Sequence, residues 1–115
     1  NERFALVRSE TGWCAYDSQK NQWQAVPAFP DGRPLPDRNS GAIVARGGQF
    51  LVASNDPLTS AGVIDAYNPA DNTWRQIASG ISWDISNDIQ ATSADCGLFV
   101  WSRGQTGAQA WRIQE

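Results

Sequence analysis

Histidine and methionine are absent from this chain of 115 residues, and cysteine occurs only as Cys14 and Cys96. Without histidine, the commonest metal ligand and the commonest general base at neutral pH are missing. Two cysteines so far apart form neither a metal cluster nor a disulfide framework. A single Cys14–Cys96 bridge in an oxidising compartment and two separate buried thiols both fit that spacing. Long apolar runs are lacking as well: none approaches the ~18 residues of a membrane-spanning helix, so no membrane span is expected. Basic clusters are missing too. Nine Lys and Arg against twelve Asp and Glu leave a net charge of −3, which gives no support to a nucleic-acid partner. No helical period is sustained over ten residues. With no initiator methionine, the chain is expected to be a processed or excised piece.

What is present is bulk. Six Trp, four Phe and two Tyr supply core material for one domain. A chain of this length can bury roughly two-thirds of its unfolded surface. The densest pattern lies between Ser40 and Ser79. Four apolar runs stand there: Ala42 to Ala45, Phe50 to Ala53, Val63 to Tyr67 and Trp74 to Ile77. Gly47-Gly48 parts the first two, and Asn68-Pro69-Ala70-Asp71-Asn72 parts the last two. Short β-branched and aromatic runs between such turn signals predict a four-stranded antiparallel meander.

Upstream, Phe4 to Arg8, Gly12 to Tyr16 and a run led by Trp23 predict three more strands. Downstream, Asp88 to Thr92, Leu98 to Ser102 and Ala108 to Gln114 predict another three. The proline-rich stretch from Pro27 to Asn39 reads as a connection, because proline cannot donate to a central ladder. Gly80 to Asn87 reads as a second connection. The expected fold class is all-β, with units near 1–29, 38–79 and 86–115. Phe50-Leu51-Val52-Ala53 and Leu98-Phe99-Val100-Trp101 are continuous apolar runs, as expected where both faces of a sheet are covered.

The units repeat. Tyr16 and Tyr67, like Trp23 and Trp74, stand 51 residues apart, and the Trp follows the Tyr by seven positions in both. Val26 and Ile77 each follow the Trp by three. Periods of about this length point to solenoids, propellers or arrays. Arg38, Gly48, Tyr67, Asn68 and Trp74, with Tyr16, Asp17 and Trp23 before them, resemble the kelch repeat of β-propellers. The units with Leu98 to Trp101 and with Ala110-Trp111 are similar to bacterial kelch-type or galactose-oxidase-like propellers. The resemblance implies β-propeller blades, each a four-stranded antiparallel meander, and covers nearly the whole chain. Ser54-Asn55 and Ser102-Arg103 stand where the kelch pattern has Gly-Gly, which implies degenerate repeats.

Aromatics at structural spacing are read as packing. Tyr16, Tyr67, Trp23, Trp74 and Trp111 are therefore expected in the core between units. Trp83 and Asp84 have no repeat counterpart. They could stack on and hydrogen-bond a sugar, although a loop Trp folded onto the rim is the favoured reading. Ser93, Asp95 and Gly97 begin like the Asp-box of sialidase-type propellers, but the downstream aromatic fits poorly and an Asx-type turn is expected instead. Galactose oxidases hold copper with two histidines and tyrosines, and this chain has no histidine, so no cofactor and no metal site are expected. The carboxylates are scattered: Asp31, Asp37, Asp56, Asp65, Asp71, Asp84, Asp88 and Asp95. No pair stands out as acid and base, and no catalytic residue is assigned.

Two functions follow. The first is a non-catalytic binding or scaffold module that recognises a protein partner through loops on one propeller face. Its candidate ligand-binding residues are Arg38, Asn55, Asp56, Trp83 and Asp84, in the loop from Asn55 to Gly62, the connection from Gly32 to Arg38, and Trp83-Asp84. The second is a carbohydrate-binding or glycan-acting propeller, galactose-oxidase-like or sialidase-like, whose other site residues lie outside this chain. Acidic charge and the resemblance to exported bacterial proteins point to an extracellular or periplasmic setting. The missing strands of the outer units imply further blades, from a longer chain or from other copies. Without them, Phe4, Leu6, Phe99 and Trp101 are expected on uncovered faces.

Overall fold

A computed structural model describes residues 3–8, 12–33, 35–36, 41–56, 58–59 and 61–81. It also gives the backbone of residue 9 and of strands 89–94, 97–104 and 107–113. All regular structure among the described residues is β. In chain order the strands are β1 (Phe4–Ser9), β2 (Gly12–Asp17), β3 (Gln22–Ala25), β4 (Gly41–Arg46), β5 (Gln49–Asn55), β6 (Gly62–Asn68), β7 (Thr73–Ile81), β8 (Ile89–Ala94), β9 (Gly97–Gly104) and β10 (Gly107–Ile113). They form three antiparallel sheets, ordered β1-β2-β3, β4-β5-β6-β7 and β10-β9-β8. Every neighbour in a sheet is also a neighbour in sequence, so each sheet is a meander.

Turn chemistry fixes these hairpins. Gly47 and Gly48 join β4 to β5 with φ of 59° and 79°. Two consecutive positive φ values give the primed two-residue turn whose twist matches the flanking strands, and glycine reaches them without a Cβ clash. Asn21 and Asn72 also have positive φ, 51° and 60°. Asparagine tolerates that region better than most residues because its short amide bonds locally.

The 51-residue repeat extends to atoms. Tyr16 and Trp23 are cross-strand partners with ring centroids 5.1 Å apart, and Tyr67 and Trp74 are partners at 5.2 Å. Each tyrosine hydroxyl donates to the following asparagine side chain, Tyr16 to Asn21 and Tyr67 to Asn72. Asp17 Oδ1 accepts from the Gln19 amide at 3.0 Å, and Asn68 Oδ1 accepts from the Ala70 amide at 3.1 Å. The first strand pairs correspond as well. Leu6 faces Ala15 and Val7 faces Cys14, as Leu51 faces Ala66 and Val52 faces Asp65.

The second sheet is buried on both faces. On one, Phe50, Val52 and Tyr67 pack with Phe4, Trp13, Ala15 and Val26 of the first unit. On the other, Leu51, Ala53, Ile64, Ala66 and Ala42 form a second cluster, with Val44, Ile77, Ala78 and Ile81 against it. The backbone of β8 comes against β4 and β5. Polar links tie the first sheet to the second. Gln24 Nε2 donates to the Tyr67 hydroxyl at 3.0 Å and to the Pro69 carbonyl at 2.8 Å, and Trp74 Nε1 donates to the Pro27 carbonyl at 2.7 Å.

Two packing expectations are corrected. Trp23 does not lie in a core between units: it is 62% exposed, whereas its equivalent Trp74 is half-buried. The cause is position in the stack. The first unit lies over Trp74, and nothing among the described residues lies over Trp23. Phe4 and Leu6 are not on an uncovered face either. Phe4 is buried and Leu6 half-buried, because both point at the second sheet. Strand alternation sends Val7, 43% exposed, the other way, while its equivalent Val52 is fully buried. The side chains of Phe99, Trp101 and Trp111 lie outside the described residues.

Equivalent tryptophans should thus differ in cost when removed. Trp74→Ala is expected to lose about 2–4 kcal/mol through lost packing and a lost hydrogen bond. Trp23→Ala should stay within about 0.5 kcal/mol, as exposed substitutions do. Urea unfolding of both variants checks this, and equal losses would contradict the stacking.

Candidate functional site

The connection after β3 carries the most elaborate side-chain arrangement among the described residues. The Gly32 amide donates to the Phe29 carbonyl at 3.0 Å, closing a turn over Phe29–Gly32. Asp31 Oδ1 accepts from the Arg33 amide at 3.1 Å, an Asx-type bond that sets the direction of the next residue. Pro36 lies 2.8 Å from where a Cβ on Gly41 would stand, so only glycine lets the connection return this closely to β4. The Arg33 side chain is thereby laid inward, with its guanidinium carbon 4.3 Å above the Phe29 ring centroid.

There Arg33 bridges two carboxylates. Nε donates to Asp31 Oδ2 at 2.6 Å, and Nη2 reaches Asp65 Oδ1 at 2.9 Å and Oδ2 at 3.0 Å. The side chains of Arg33 and Asp65 are 9% and 3% exposed, and that of Asp31 is 48% exposed. Arg33 Nη1 is buried with no hydrogen-bond partner. A groove of about 310 Å³ runs alongside, lined by Pro30, Asp31, Arg33, Asp65, Trp74 and Gln76. Gln76 is the cross-strand partner of Asp65, and the β6–β7 register shifts on either side of Ile64, just before Asp65. Such irregularities re-aim side chains locally. A second hollow beside Arg3 and Asp17 holds only about 80 Å³.

The two carboxylates titrate in opposite directions. Burial holds the Asp65 carboxyl above its ordinary range, against the pull of Arg33 beside it. The hydrogen bond from Arg33 holds Asp31 below that range, as the one from Arg3 does for Asp17. The signs set the linkage. Ionised Asp65 costs the folded state, so its share of stability falls as pH rises from the ordinary carboxylate value through its own raised one. The shares of Asp31 and Asp17 are present above the ordinary carboxylate value and are lost as pH falls through their lowered ones.

Of the residues expected to bind ligand, Asn55 and Asp56 are described. Asn55 ends β5, half-buried, opposite Gly62. The Asp56 amide donates to the Ala61 carbonyl at 2.8 Å, and its Oδ1 accepts from the Leu58 amide at 2.9 Å. Asp56 thus shapes a loop that presents Leu58, 93% exposed, at its tip. Arg38, Trp83 and Asp84 lie outside the described residues, so the structure does not bring the five together. Cys14 carries a free thiol, half-buried on β2, and Cys96 lies outside the described residues. No three His, Cys, Asp or Glu residues gather as a metal site among the described residues. No helix there is long and apolar enough to cross a membrane.

The Arg33–Asp65 pair is the feature that sequence reading missed, although Arg33 falls in the connection marked as a ligand surface. One signal was available. Asp65 interrupts the apolar run Val63 to Tyr67 at the position that Cys14 holds in the first unit. A carboxylate in a buried strand requires a partner. A scan against protein-family models finds no match for the chain, and a search of curated proteins finds none either.

Arg33→Met would leave Asp65 buried without its cation, which costs about 3–5 kcal/mol. Thermal melts should show that deficit shrinking as pH is lowered through the carboxylate range, since protonated Asp65 no longer needs the guanidinium. A deficit independent of pH would mean that Arg33 contributes packing alone.

Proposed function

We propose that the chain is a non-catalytic binding module built from kelch-like propeller blades, which engages a protein partner through loops on one face. The observation that supports this reading best is where the repeat stops. Framework residues recur with their hydrogen bonds: Tyr16 and Tyr67, Asn21 and Asn72, Asp17 and Asn68. Side chains outside the repeated framework stand in connections: Asp31 and Arg33 after β3, and Asp56 with the exposed Leu58 between β5 and β6. Repeat scaffolds place recognition in such segments, because the framework positions are committed to packing. Alanine replacement of Arg38, Asp56 and Trp83 together is expected to abolish capture of the partner from extracts of the source cell. Undiminished capture would overturn the assignment.

A carbohydrate-binding or glycan-acting propeller is the second reading, and the groove beside Trp74 and Arg33 favours it. No cofactor enters either reading. The extracellular or periplasmic setting belongs to the same proposal. Two freely reacting thiols in protein purified without reductant would count against it.

The reading also requires a partner for the outer face of β1–β3. Ala5, Val7, Trp23 and Ala25 are exposed there, with Cys14 and Tyr16 half-buried among them. The equivalent face of the second sheet is covered by the first unit. Further blades, from a longer chain or from other copies, would complete the stack. The 115 residues alone are expected to self-associate in sedimentation runs at micromolar concentration. A monodisperse monomer with a cooperative transition well above room temperature would contradict this.

A further inference from the structure

The outer face of β1–β3 carries two rows of side chains set by the strand register, Ala5–Tyr16–Trp23 and Val7–Cys14–Ala25. Neither row contains a charged side chain. In the second sheet the corresponding rows run through Tyr67, Trp74 and Asp65, and the first unit lies over them. We infer that a second copy of the chain covers the outer face of β1–β3, face on face, about a two-fold axis that runs along β2. The inference goes beyond the proposed function and rests only on the need for a cover stated there.

The interface between the first and second sheets shows what a cover must supply. There Trp74 Nε1 donates to the Pro27 carbonyl, Gln24 Nε2 donates to the Tyr67 hydroxyl, and Arg33 meets Asp65. On the outer face Cys14 stands where Asp65 does, so a cation brought there would be buried without a partner. A unit with an inward arginine is thus a poor cover for it. The other two demands remain. Trp23 Nε1 is a donor, and no hydrogen bond engages it among the described residues. The Tyr16 hydroxyl gives its proton to Asn21 and keeps its acceptor lone pairs. Each group supplies what the other lacks, yet within one chain their rings lie side by side, 5.1 Å apart, without bonding. Two copies resolve this. The indole of one donates to the Tyr16 hydroxyl of the other, and symmetry repeats the bond in reverse.

Shape and charge agree with this pairing. Because β2 is the middle strand, an axis along it sets β3 of one copy over β1 of the other. Trp23 then meets the partner's Ala5, and Val7 meets the partner's Ala25. Facing sheets pack about 10 Å apart, and a large side chain opposite a small one fills that gap without a clash. Trp23 is 62% exposed and Val7 43%, so both gain by leaving water. Tryptophan is also among the residues that anchor interfaces most strongly. Each copy carries a net charge of −3, which opposes association in general. A face without charge is where that repulsion is least. A two-fold contact uses the same patch on both copies, so it closes at two.

Sedimentation of the full chain in reductant is expected to show a reversible monomer–dimer equilibrium. Val7→Asp places a charge in the face and should abolish it, whereas Leu58→Asp on the β5–β6 loop should leave it unchanged. Trp23 should oxidise fast in dilute monomer and slowly once pairs form, while Trp74 stays protected at both concentrations. Trp23→Phe and Tyr16→Phe each remove both reciprocal bonds, so each should weaken pairing about twentyfold, from two losses of about fivefold. Mixing these two variants is the sharper measure. The mixed pair regains one bond, from the intact Trp23 to the intact Tyr16, and native mass spectrometry should find it favoured about fivefold beyond chance. Mixed pairs in the statistical proportion overturn the two-fold contact. Growth past two copies that Val7→Asp abolishes means a head-to-tail cover and overturns it too. Association undiminished by Val7→Asp overturns the inference but leaves the need for a cover standing. A chain that stays monomeric overturns both.

Discussion

A sheet with apolar side chains on both faces is stable only between two covers, and this constraint organises the molecule. The second sheet places Phe50, Val52 and Tyr67 on one side and Leu51, Ile64 and Ala66 on the other. Each large side chain fully removed from water contributes about 1.5–3 kcal/mol, so neither face can be left open cheaply. The first unit covers one face with its own opposite side, using Phe4, Trp13, Ala15 and Val26. Its remaining face then holds the same register of residues that it has just covered in its neighbour. Stacking of one unit onto the next accounts for why Val52 is buried and Val7 exposed.

The connection after β3 belongs to this packing as much as the strands do. Val26 and Phe29 are buried, and the Pro27 carbonyl receives the Trp74 indole N–H. Having been pinned as cover, the segment can carry charge inward. Arg33 reaches Asp65 across 32 residues of sequence and satisfies both its carboxylate oxygens. A buried ion pair is costly to desolvate and adds little net stability over an apolar pair. Net stability alone therefore does not account for its presence in the second unit, where the first has Cys14.

The strands were legible because local signals suffice for them. Gly47-Gly48, the Asn-Pro turn and the four short apolar runs place β4 to β7 within a few residues of where they stand. Which face of a strand is covered was not legible, since that depends on the neighbour in the stack. Trp23 and Trp74 have the same local sequence context and different exposure for this reason. Phe4 and Val7 lie three apart on one strand, so alternation puts them on opposite faces, but sequence alone does not say which face is open. The Arg33–Asp65 contact was hidden because nothing local encodes a partner that distant. Only the oddity of a carboxylate inside the run Val63 to Tyr67 gave a hint of it. Ser54 on β5 gives a different lesson: it is buried with its hydroxyl oxygen unpaired, so the strand keeps its place at some polar cost.

Hydroxyl-radical footprinting of the full chain reads the central claim directly, because tryptophan oxidation follows solvent exposure residue by residue. The account predicts rapid oxidation of Trp23 and marked protection of Trp74 and Trp13 in the folded chain, with all three alike once it is unfolded. Equal rates for Trp23 and Trp74 in the folded chain would contradict the claim that one unit serves as the cover of the next.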